Sequence, residues 1–203
     1  MKPVPRPASA FPDNVVRLEL PPTDAELVLA ARAGRERALD QLFHRYAKQA
    51  AGLAYRLLGR DDEVDDIVQD SFAAAMISLH RLKEPQAFAA WLWSIVTRTV
   101  TRAIRRRRLL RRLGLLPSPG DVEPSLRIAP DASPEVVAEL HAVYRVIDSL
   151  PADERVILVL RRVDDLTHQE IAERTGWSVA TVKRRLESAE TTLARYRDLG
   201  GGS

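Results

Sequence analysis

The sequence predicts an all-α protein built from two small helical domains joined by a flexible, proline-rich linker, with a helix-turn-helix in the second domain. Apolar residues recur at steps of three and four through most of the 203-residue chain, which is the period of amphipathic helices. No segment alternates with period two for long enough to indicate a strand. Prolines and glycines interrupt the helical pattern between residues 113 and 134. We therefore expect amphipathic helices whose apolar faces pack together.

The composition excludes several classes of protein. The chain has no cysteine, which excludes disulfides, thiol catalysis and cysteine-based zinc sites. It has no apolar run near the roughly 20 residues that a membrane span needs. Residues 1–22 are proline-rich and lack the apolar core of a signal peptide, so we expect a disordered tail there. These features predict a cytoplasmic protein without membrane insertion, and no motif implies a cofactor.

We expect the first domain at residues 23–112. Its first helix begins with a capping box formed by Thr23 and Glu26, and Gly34 ends it. A second helix with a single apolar face ends at Gly59. The side chains expected on that inward face are Leu39, Leu42, Phe43, Tyr46, Ala50, Leu53 and Leu57.

Two more helices complete the predicted first domain. The third begins at about Asp61, and a break that contains Pro85 follows from His80 to Gln86. The fourth begins as an apolar helix and then becomes strongly basic. The third helix is expected to bury Val64, Ile67, Val68, Phe72, Ala75 and Leu79. The fourth is expected to bury Phe88, Leu92, Ile95 and Thr99.

The second domain is expected at residues 134–199, after a linker at residues 113–133. Ser133 followed by Pro134 is typical of a helix start. Pro151 then opens another helix, which we expect from Asp153 to Arg162. The side chains expected on the inward face of the first of these helices are Val137, Leu140, Tyr144 and Ile147.

Residues 166–186 have the pattern of a helix-turn-helix. Thr167 and Glu170 form a second capping box, Gly176 lies where the turn needs positive φ, and Ser178 caps the following helix. The residues expected to pack between the two helices are Ile171, Ala172, Val182 and Leu186. Small, hydroxyl and basic side chains on the outward face suit a DNA major groove. They are Ser178, Ala180, Thr181, Lys183, Arg184, Arg185 and Ser188. A helical hairpin with a solvated basic face is the alternative.

Six acids lie at the start of the third helix, between Asp61 and Asp70. The helix dipole favours acids at this end, so a solvated helix start is one explanation. A metal or acid–base site is the weakest explanation, because no histidine accompanies the acids and neighbouring side chains diverge around a helix. We favour an acidic docking surface for a basic partner.

Eight arginines and no acid lie between Arg98 and Arg112, and Trp91 and Trp93 precede them. This combination suits single-stranded nucleic acid, because cations follow the phosphates and aromatic rings stack on the bases. The alternative is that one tryptophan belongs to the core and the arginines are merely solvated. Arg98, Arg102, Arg105 and Arg106 lie near one face of the helix, and we favour a nucleic-acid surface.

Four motifs occur in a fixed order along the chain. They are DDIVQDSF at residues 65–72, FAAWLWSI at residues 88–95, LPADER at residues 150–155, and the helix-turn-helix segments EIA (170–172) and TVKRRL (181–186). Together they resemble the extracytoplasmic-function (ECF) sigma factors of bacterial RNA polymerase, which belong to the sigma-70 family. The resemblance covers both predicted domains, from about Asp24 to Arg197.

The resemblance implies a role for each domain. The first is similar to sigma region 2, which docks on core RNA polymerase, composed in part of the beta and beta-prime subunits, and opens the −10 promoter element. The docking residues that it implies are Asp65, Asp66, Gln69, Asp70 and Phe72. Those implied for the −10 element are His80, Lys83, Phe88, Trp91, Trp93, Arg98, Arg102, Arg105 and Arg106. The second domain is similar to sigma region 4, whose helix-turn-helix reads the −35 element.

We therefore expect a non-enzymatic ECF-type sigma factor that directs promoter-specific initiation and is associated with the nucleoid through RNA polymerase. An anti-sigma factor or another regulator is an expected partner. The alternative is a free-standing helix-turn-helix transcriptional regulator, which would bind palindromic duplex DNA as a dimer and need no docking surface. A nuclease or other metal enzyme would need a convergent set of acids and histidines, which this sequence lacks.

Overall fold

The computed structural model describes residues 21–116 and 133–200, with side chains described as far as residue 196. These ranges contain eight α-helices and no strand, which confirms the predicted all-α class. Two 3₁₀ turns, Leu79–Arg81 and Pro85–Ala87, occupy the predicted break. The α-helices are α1 (Asp24–Arg32), α2 (Glu36–Leu58), α3 (Val64–Ser78), α4 (Phe88–Arg112), α5 (Pro134–Ser149), α6 (Ala152–Arg162), α7 (His168–Thr175) and α8 (Val179–Gly200). The expected tail and linker lie almost entirely outside the described residues.

Helices α1 to α4, the amino-terminal group, pack around a shared apolar core. Both α2 and α4 contact α3 and each other. The fully buried side chains of this core include Leu42, Leu57, Phe88, Leu92 and Val96. Arg32 of α1 donates hydrogen bonds to the carbonyl oxygens of Leu79, at 3.0 Å, and Leu82. This side chain therefore ties the irregular segment between α3 and α4 to the rest of the group.

The helix ends follow the sequence signals closely. Both predicted capping boxes form, at the starts of α1 and α7. The Ser133 hydroxyl accepts a hydrogen bond from the Val136 amide at the start of α5. Gly59 and Gly176 adopt positive φ at the ends of α2 and α7, a conformation that an L-residue with a Cβ adopts only with strain.

The predictions of which side chains face inward were wrong in part for two helices, α2 and α5. Phe43 of α2 is 38% exposed and lies edge-on to Phe72, with ring centroids 4.8 Å apart. Helix α5 buries none of its side chains completely, and Leu140 is 36% exposed. The physical reason is that α5 covers only one side of its neighbours and leaves an apolar groove open. Periodicity identifies which face of a helix is apolar, but the number of helices that pack on it decides how deeply that face is buried.

Two helix starts differ slightly from the prediction. Helix α3 begins at Val64 rather than near Asp61, because the residues just before it form a turn in which the Val64 amide donates to the Asp61 carbonyl oxygen. Helix α6 begins at Ala152, one residue before the predicted start. Differences of this size are usual at helix ends.

Helices α5 to α8, the carboxy-terminal group, pack against the amino-terminal group. Helices α2 and α4 contact α6, and α4 also contacts α7. At the centre of this interface lies Arg155 of α6, whose side chain is only 3% exposed. It donates hydrogen bonds to the carbonyl oxygens of Leu57, at 2.8 Å, and Leu58, and to the Asp148 carboxylate at 2.6 Å. Arg155 thereby satisfies carbonyl groups at the end of α2 that the helix itself leaves unpaired.

Candidate nucleic-acid and partner interfaces

The helix-turn-helix is built as the sequence predicts. The Thr167 hydroxyl accepts from the Glu170 amide at 3.3 Å, and the Glu170 carboxylate accepts from the Thr167 amide at 2.8 Å. The Thr167 hydroxyl also donates to the Glu170 carboxylate, at 2.7 Å, and this bond, followed by the one from the Thr167 amide, lowers the pKa of Glu170. Ile171, Ala172, Val182 and Leu186 are all buried between the helices. The Ser178 hydroxyl accepts from the Thr181 amide at 3.2 Å, so the second helix starts at a fixed angle.

Helix α8 presents its first turns outward. Ala180, Lys183 and Arg184 are exposed, and Thr181 is half-buried beside Ser178. Lys183 and Arg184 form no ion pair within the described residues, so their charges are available to a polyanion. This part of the predicted DNA-reading face is therefore open to a ligand.

The other two residues of that face are engaged by acids of α6. Arg185 pairs with the Asp153 carboxylate and lies over the Trp177 ring, 4.6 Å from its centroid. The Ser188 hydroxyl donates to Glu154 at 3.0 Å. Burial, and then the positive charge of Arg105, lower the pKa of Arg185. Arg105 of α4 therefore lies close to α8, the second helix of the helix-turn-helix. The sequence alone does not predict this proximity.

The basic half of α4 divides into two sets of arginines. Arg98, Arg102, Arg105 and Arg106 are exposed on one face, as the helical spacing predicts. On the other side of the helix, Arg107 pairs with Glu63 and Arg111 pairs with Asp148 at 2.7 Å. The second set therefore has a structural role. In the first set Arg105 also pairs, with Asp153 at 2.5 Å, whereas Arg98, Arg102 and Arg106 form no ion pair within the described residues.

The aromatic residues before these arginines differ in exposure. Phe88 is completely buried, so it supports the start of α4 and does not offer a surface for a direct DNA contact. Trp91 and Trp93 are both half-buried and pack against the core. Trp93 lies edge-on to Tyr46, with centroids 5.7 Å apart. His80 and Lys83, in the segment that precedes α4, are exposed.

An acidic stripe lies on the outer side of α3. Asp65, Asp66, Gln69 and Asp70 are exposed, and we call these four residues the acidic face. None of its three carboxylates forms an ion pair with another described residue. Phe72, which the resemblance adds to this set, is 5% exposed and belongs to the core. No group of three histidines, cysteines or acids in the described part of the chain is arranged to hold a metal ion.

Two apolar side chains are exposed beside the acidic face, although the sequence pattern did not single out Ile77 and placed Phe43 in the core. Ile77, on the same helix, is 79% exposed, and Phe43 of α2 is exposed where it packs on Phe72. At 100° per residue, Ile77 falls on the stripe of Asp66 and Asp70. Ile77 is an apolar residue that does not fall on the inward face of α3 in the helical pattern. This mismatch was the signal that could have identified it.

Comparison with known proteins identifies the family. The model of sigma-70 region 2 matches residues 42–109, and the model of sigma-70 region 4 matches residues 140–193. RNA polymerase sigma factor CnrH of Cupriavidus metallidurans is 32% identical over 184 residues, which are 87% of this chain and 96% of that protein. The chain belongs to the ECF sigma factors of the sigma-70 family. As an ECF sigma factor it directs promoter-specific transcription initiation by RNA polymerase.

Other similar proteins extend this comparison. The ECF RNA polymerase sigma factor SigE of Mycolicibacterium smegmatis is 30% identical over 164 residues, 77% of this chain, and the sigma factor described here spans 60% of SigE. The structure of CnrH in complex with the cytosolic domain of CnrY has a TM-score of 0.56 at 27% identity and covers 89% of this chain and 99% of that one. The sigma factor RpoE of Bartonella quintana, in complex with the anti-sigma factor NepR, has a TM-score of 0.55 at 22% identity, over 78% of this chain and 96% of that one, and shares the fold.

No helix in the described ranges is both long and apolar enough to cross a membrane. The longest, α4, has 25 residues and carries the arginine-rich segment.

Proposed function

We propose that the acidic face of α3 is the polymerase docking surface of this sigma factor. Its carboxylates are exposed and unpaired among the described residues, and Ile77 adds an exposed apolar side chain on the same stripe. Unpaired surface charges steer a partner of opposite charge, and an apolar centre adds affinity once the charges have met. Phe72 acts indirectly, because it supports the exposed ring of Phe43 from beneath.

The −10 element and the single strand bind along α4 in this proposal. The exposed arginines follow the DNA backbone, while Trp91 or Trp93 stacks on an unpaired base. His80 and Lys83 precede α4 on the exposed side of the break and extend this surface. Phe88 anchors the start of the helix.

The −35 element binds the outward face of α8. Lys183 and Arg184 are its exposed, unpaired cations, and Ala180 with Thr181 leaves room for close approach to base edges. Adjacent helix positions point about 100° apart, so Lys183 and Arg184 cannot both reach the same bases. One of them reads a base edge and the other holds phosphate.

Binding both promoter elements requires the two groups of helices to separate. The −10 and −35 elements are about 25 base pairs apart, which is roughly 85 Å of duplex at 3.4 Å per base pair. Helix α4 is only about 37 Å long at 1.5 Å per residue, and it contacts α7 of the helix-turn-helix directly. While the two groups of helices are packed together, which we call the closed arrangement, the protein therefore cannot reach both elements. We assign the groups to a region 2 domain at residues 23–112 and a region 4 domain at residues 134–199, with a linker at residues 113–133.

A protein regulator of the anti-sigma type is a further proposed partner. An apolar groove of about 530 Å³ between α5, α6 and α8 is lined by residues that include Val143, Ile147, Leu158 and Val163. Such a groove suits the apolar face of a helix. We further propose that the protein works in the cytoplasm, at the nucleoid with RNA polymerase, and has no catalytic activity of its own.

The observation that carries the docking proposal is the unpaired, exposed acidic face, and charge reversal tests it. The double variant Asp66→Lys/Asp70→Lys should weaken binding to purified core polymerase by at least tenfold and reduce promoter-specific transcription in parallel. Glu139→Lys, on the exposed surface of α5, is the control and should leave core binding unchanged. Loss of Asp66 from the first turn of α3 costs about 0.3–1 kcal/mol, and Asp70 lies beyond that turn on the exposed surface, so the double variant should remain folded. Unchanged core affinity in the double variant would refute the docking surface, and tight binding to palindromic DNA without polymerase would favour the free-standing regulator.

A further inference from the structure

We propose that the cleft between α4 and the helix-turn-helix binds a small molecule that carries a diphosphate group. The cleft has a volume of about 250 Å³. One wall is α4, and the other is the end of α7 with the turn that follows it. Its lining consists of Thr97, Arg98, Thr101, Arg102, Arg105, Thr175 and Trp177. This site exists only while the two groups of helices are packed together.

The charges around the cleft favour an anion. Three arginines line it and no carboxylate does. Arg105 pairs with Asp153 at 2.5 Å, whereas Arg98 and Arg102 form no ion pair within the described residues. Cations four residues apart on a helix repel each other, so an anion between them would relieve an unfavourable contact as well as bind them.

A buried hydroxyl group in the same lining provides a second, independent observation. Thr97 is only 1% exposed, and its Oγ1 atom has no hydrogen-bond partner. The neighbouring hydroxyls of Thr101 and Thr175 both donate to backbone carbonyl oxygens at 2.7 Å. A buried polar group without a partner is unfavourable, because it has lost its hydrogen bonds to water and gained none in return. An acceptor oxygen of a bound ligand would give the Thr97 hydroxyl the partner that it lacks.

The size and charge of the cleft select the ligand class. Arg98 and Arg102 are one helical turn apart, about 5–6 Å between their Cβ atoms, so two linked phosphates match them better than one. Guanidinium groups bind phosphate oxygens through paired hydrogen bonds. Thr175 and Trp177 close the side opposite α4, so the ligand must be compact.

Such a ligand would contact both groups of helices and stabilise the closed arrangement. A molecule that binds only one of two conformations shifts the equilibrium toward it by its differential affinity. It would also occupy Arg98 and Arg102, which the proposed function assigns to the −10 element. The ligand would therefore hold the sigma factor in a form unable to engage its promoter, and this consequence rests on the proposed function.

Isothermal titration calorimetry of the full chain with inorganic pyrophosphate tests the site directly. We expect one pyrophosphate per chain. Arg102→Gln should weaken it by at least tenfold, and Thr97→Val, which removes only the hydroxyl, by at least threefold. Arg112→Gln, an exposed arginine at the end of the same helix and outside the cleft, should change the affinity by less than twofold.

The assignment is overturned if no saturable binding is seen, or if Thr97→Val or Arg102→Gln binds as tightly as the unmodified chain. It is equally overturned if Arg112→Gln loses as much affinity as Arg102→Gln, because that pattern indicates general attraction to a basic surface. A short single-stranded oligonucleotide distinguishes a free diphosphate from a DNA phosphate. If the oligonucleotide binds with the same dependence on Thr97 and pyrophosphate does not, the cleft is a DNA site and the proposal is wrong. None of these measurements involves polymerase, so they stand even if the docking proposal fails.

Discussion

Replacing Arg155 by methionine should open the closed arrangement while leaving the helices intact. Arg155 is buried at the interface and donates to Leu57, Leu58 and Asp148. Methionine keeps much of the apolar length of the side chain but cannot donate. The variant therefore leaves the two carbonyl groups without their donor, while Asp148 keeps its hydrogen bond from Arg111. The carbonyl groups recover hydrogen bonds only if water enters the interface.

The expected magnitude follows from this partner set. Two of these hydrogen bonds, to the Leu57 and Leu58 carbonyl oxygens, cross between the groups, whereas Asp148 lies on α5 in the same group as Arg155. A hydrogen bond to a charged group contributes about 1.5–3 kcal/mol. At 1.4 kcal/mol per factor of ten, the loss of two is on the order of a 10²- to 10⁴-fold shift toward the open form. Arg161→Met, on the same helix, is the matched control. Within the described residues Arg161 forms one ion pair, with Asp165, which is 95% exposed, and a 3.4 Å hydrogen bond to the Leu166 carbonyl oxygen. An exposed pair four residues apart contributes about 0.3–0.5 kcal/mol.

Small-angle X-ray scattering and circular dichroism together provide the assay. Arg155→Met should raise the radius of gyration above that of the unmodified chain while the helix content stays nearly constant. Arg161→Met should change neither quantity. The interface role of Arg155 is refuted if Arg155→Met remains as compact as the unmodified chain. It is also refuted if the variant loses helix content, because that result would place the role of Arg155 inside one group of helices.

Three further predictions concern pH, strand opening and promoter reading. Burial acts to raise the pKa of Asp148, but Arg155 and Arg111 outweigh it and hold that pKa below its ordinary value. A carboxyl with a lowered folded-state pKa stabilises the fold above its unfolded pKa of about 3.9 and loses this contribution as pH falls through the folded value. Thermal unfolding should therefore be steady near neutral pH and decline below about pH 4, and Asp148→Asn should remove part of that decline. Trp93→Ala in the polymerase complex should spare binding to duplex promoter and impair strand opening, as measured by permanganate reactivity of unpaired thymines; normal opening would transfer the role to Trp91. Alanine at Arg184 or Lys183 should cost about 1–3 kcal/mol and relax preference at one base pair if the residue reads a base edge, whereas a phosphate contact would weaken all sequences alike in a binding assay at several salt concentrations.

The sequence by itself determined the local features of this protein. Capping boxes, terminal glycines and the apolar period each depend on residues within one or two helical turns, so they can be identified without coordinates. For this reason the helix-turn-helix at residues 167–186 and the break before α4 have the predicted form. The order of the four motifs likewise indicated the sigma family, which the family matches and the similarity to CnrH then established.

Only the tertiary structure decided which of the charged and apolar residues are free. Periodicity placed Phe43 in the core, but Phe72 of α3 covers only part of its ring, and it remains 38% exposed. Arg185 has the same local signals as Arg184, yet it is paired because Asp153 of another helix lies beside it. Arg155 occurs in a recognisable motif, but its burial against the end of α2 depends on a contact between residues almost a hundred positions apart. Such contacts carry no local pattern in the chain, because they depend on how separate helices pack and not on the spacing within any one of them.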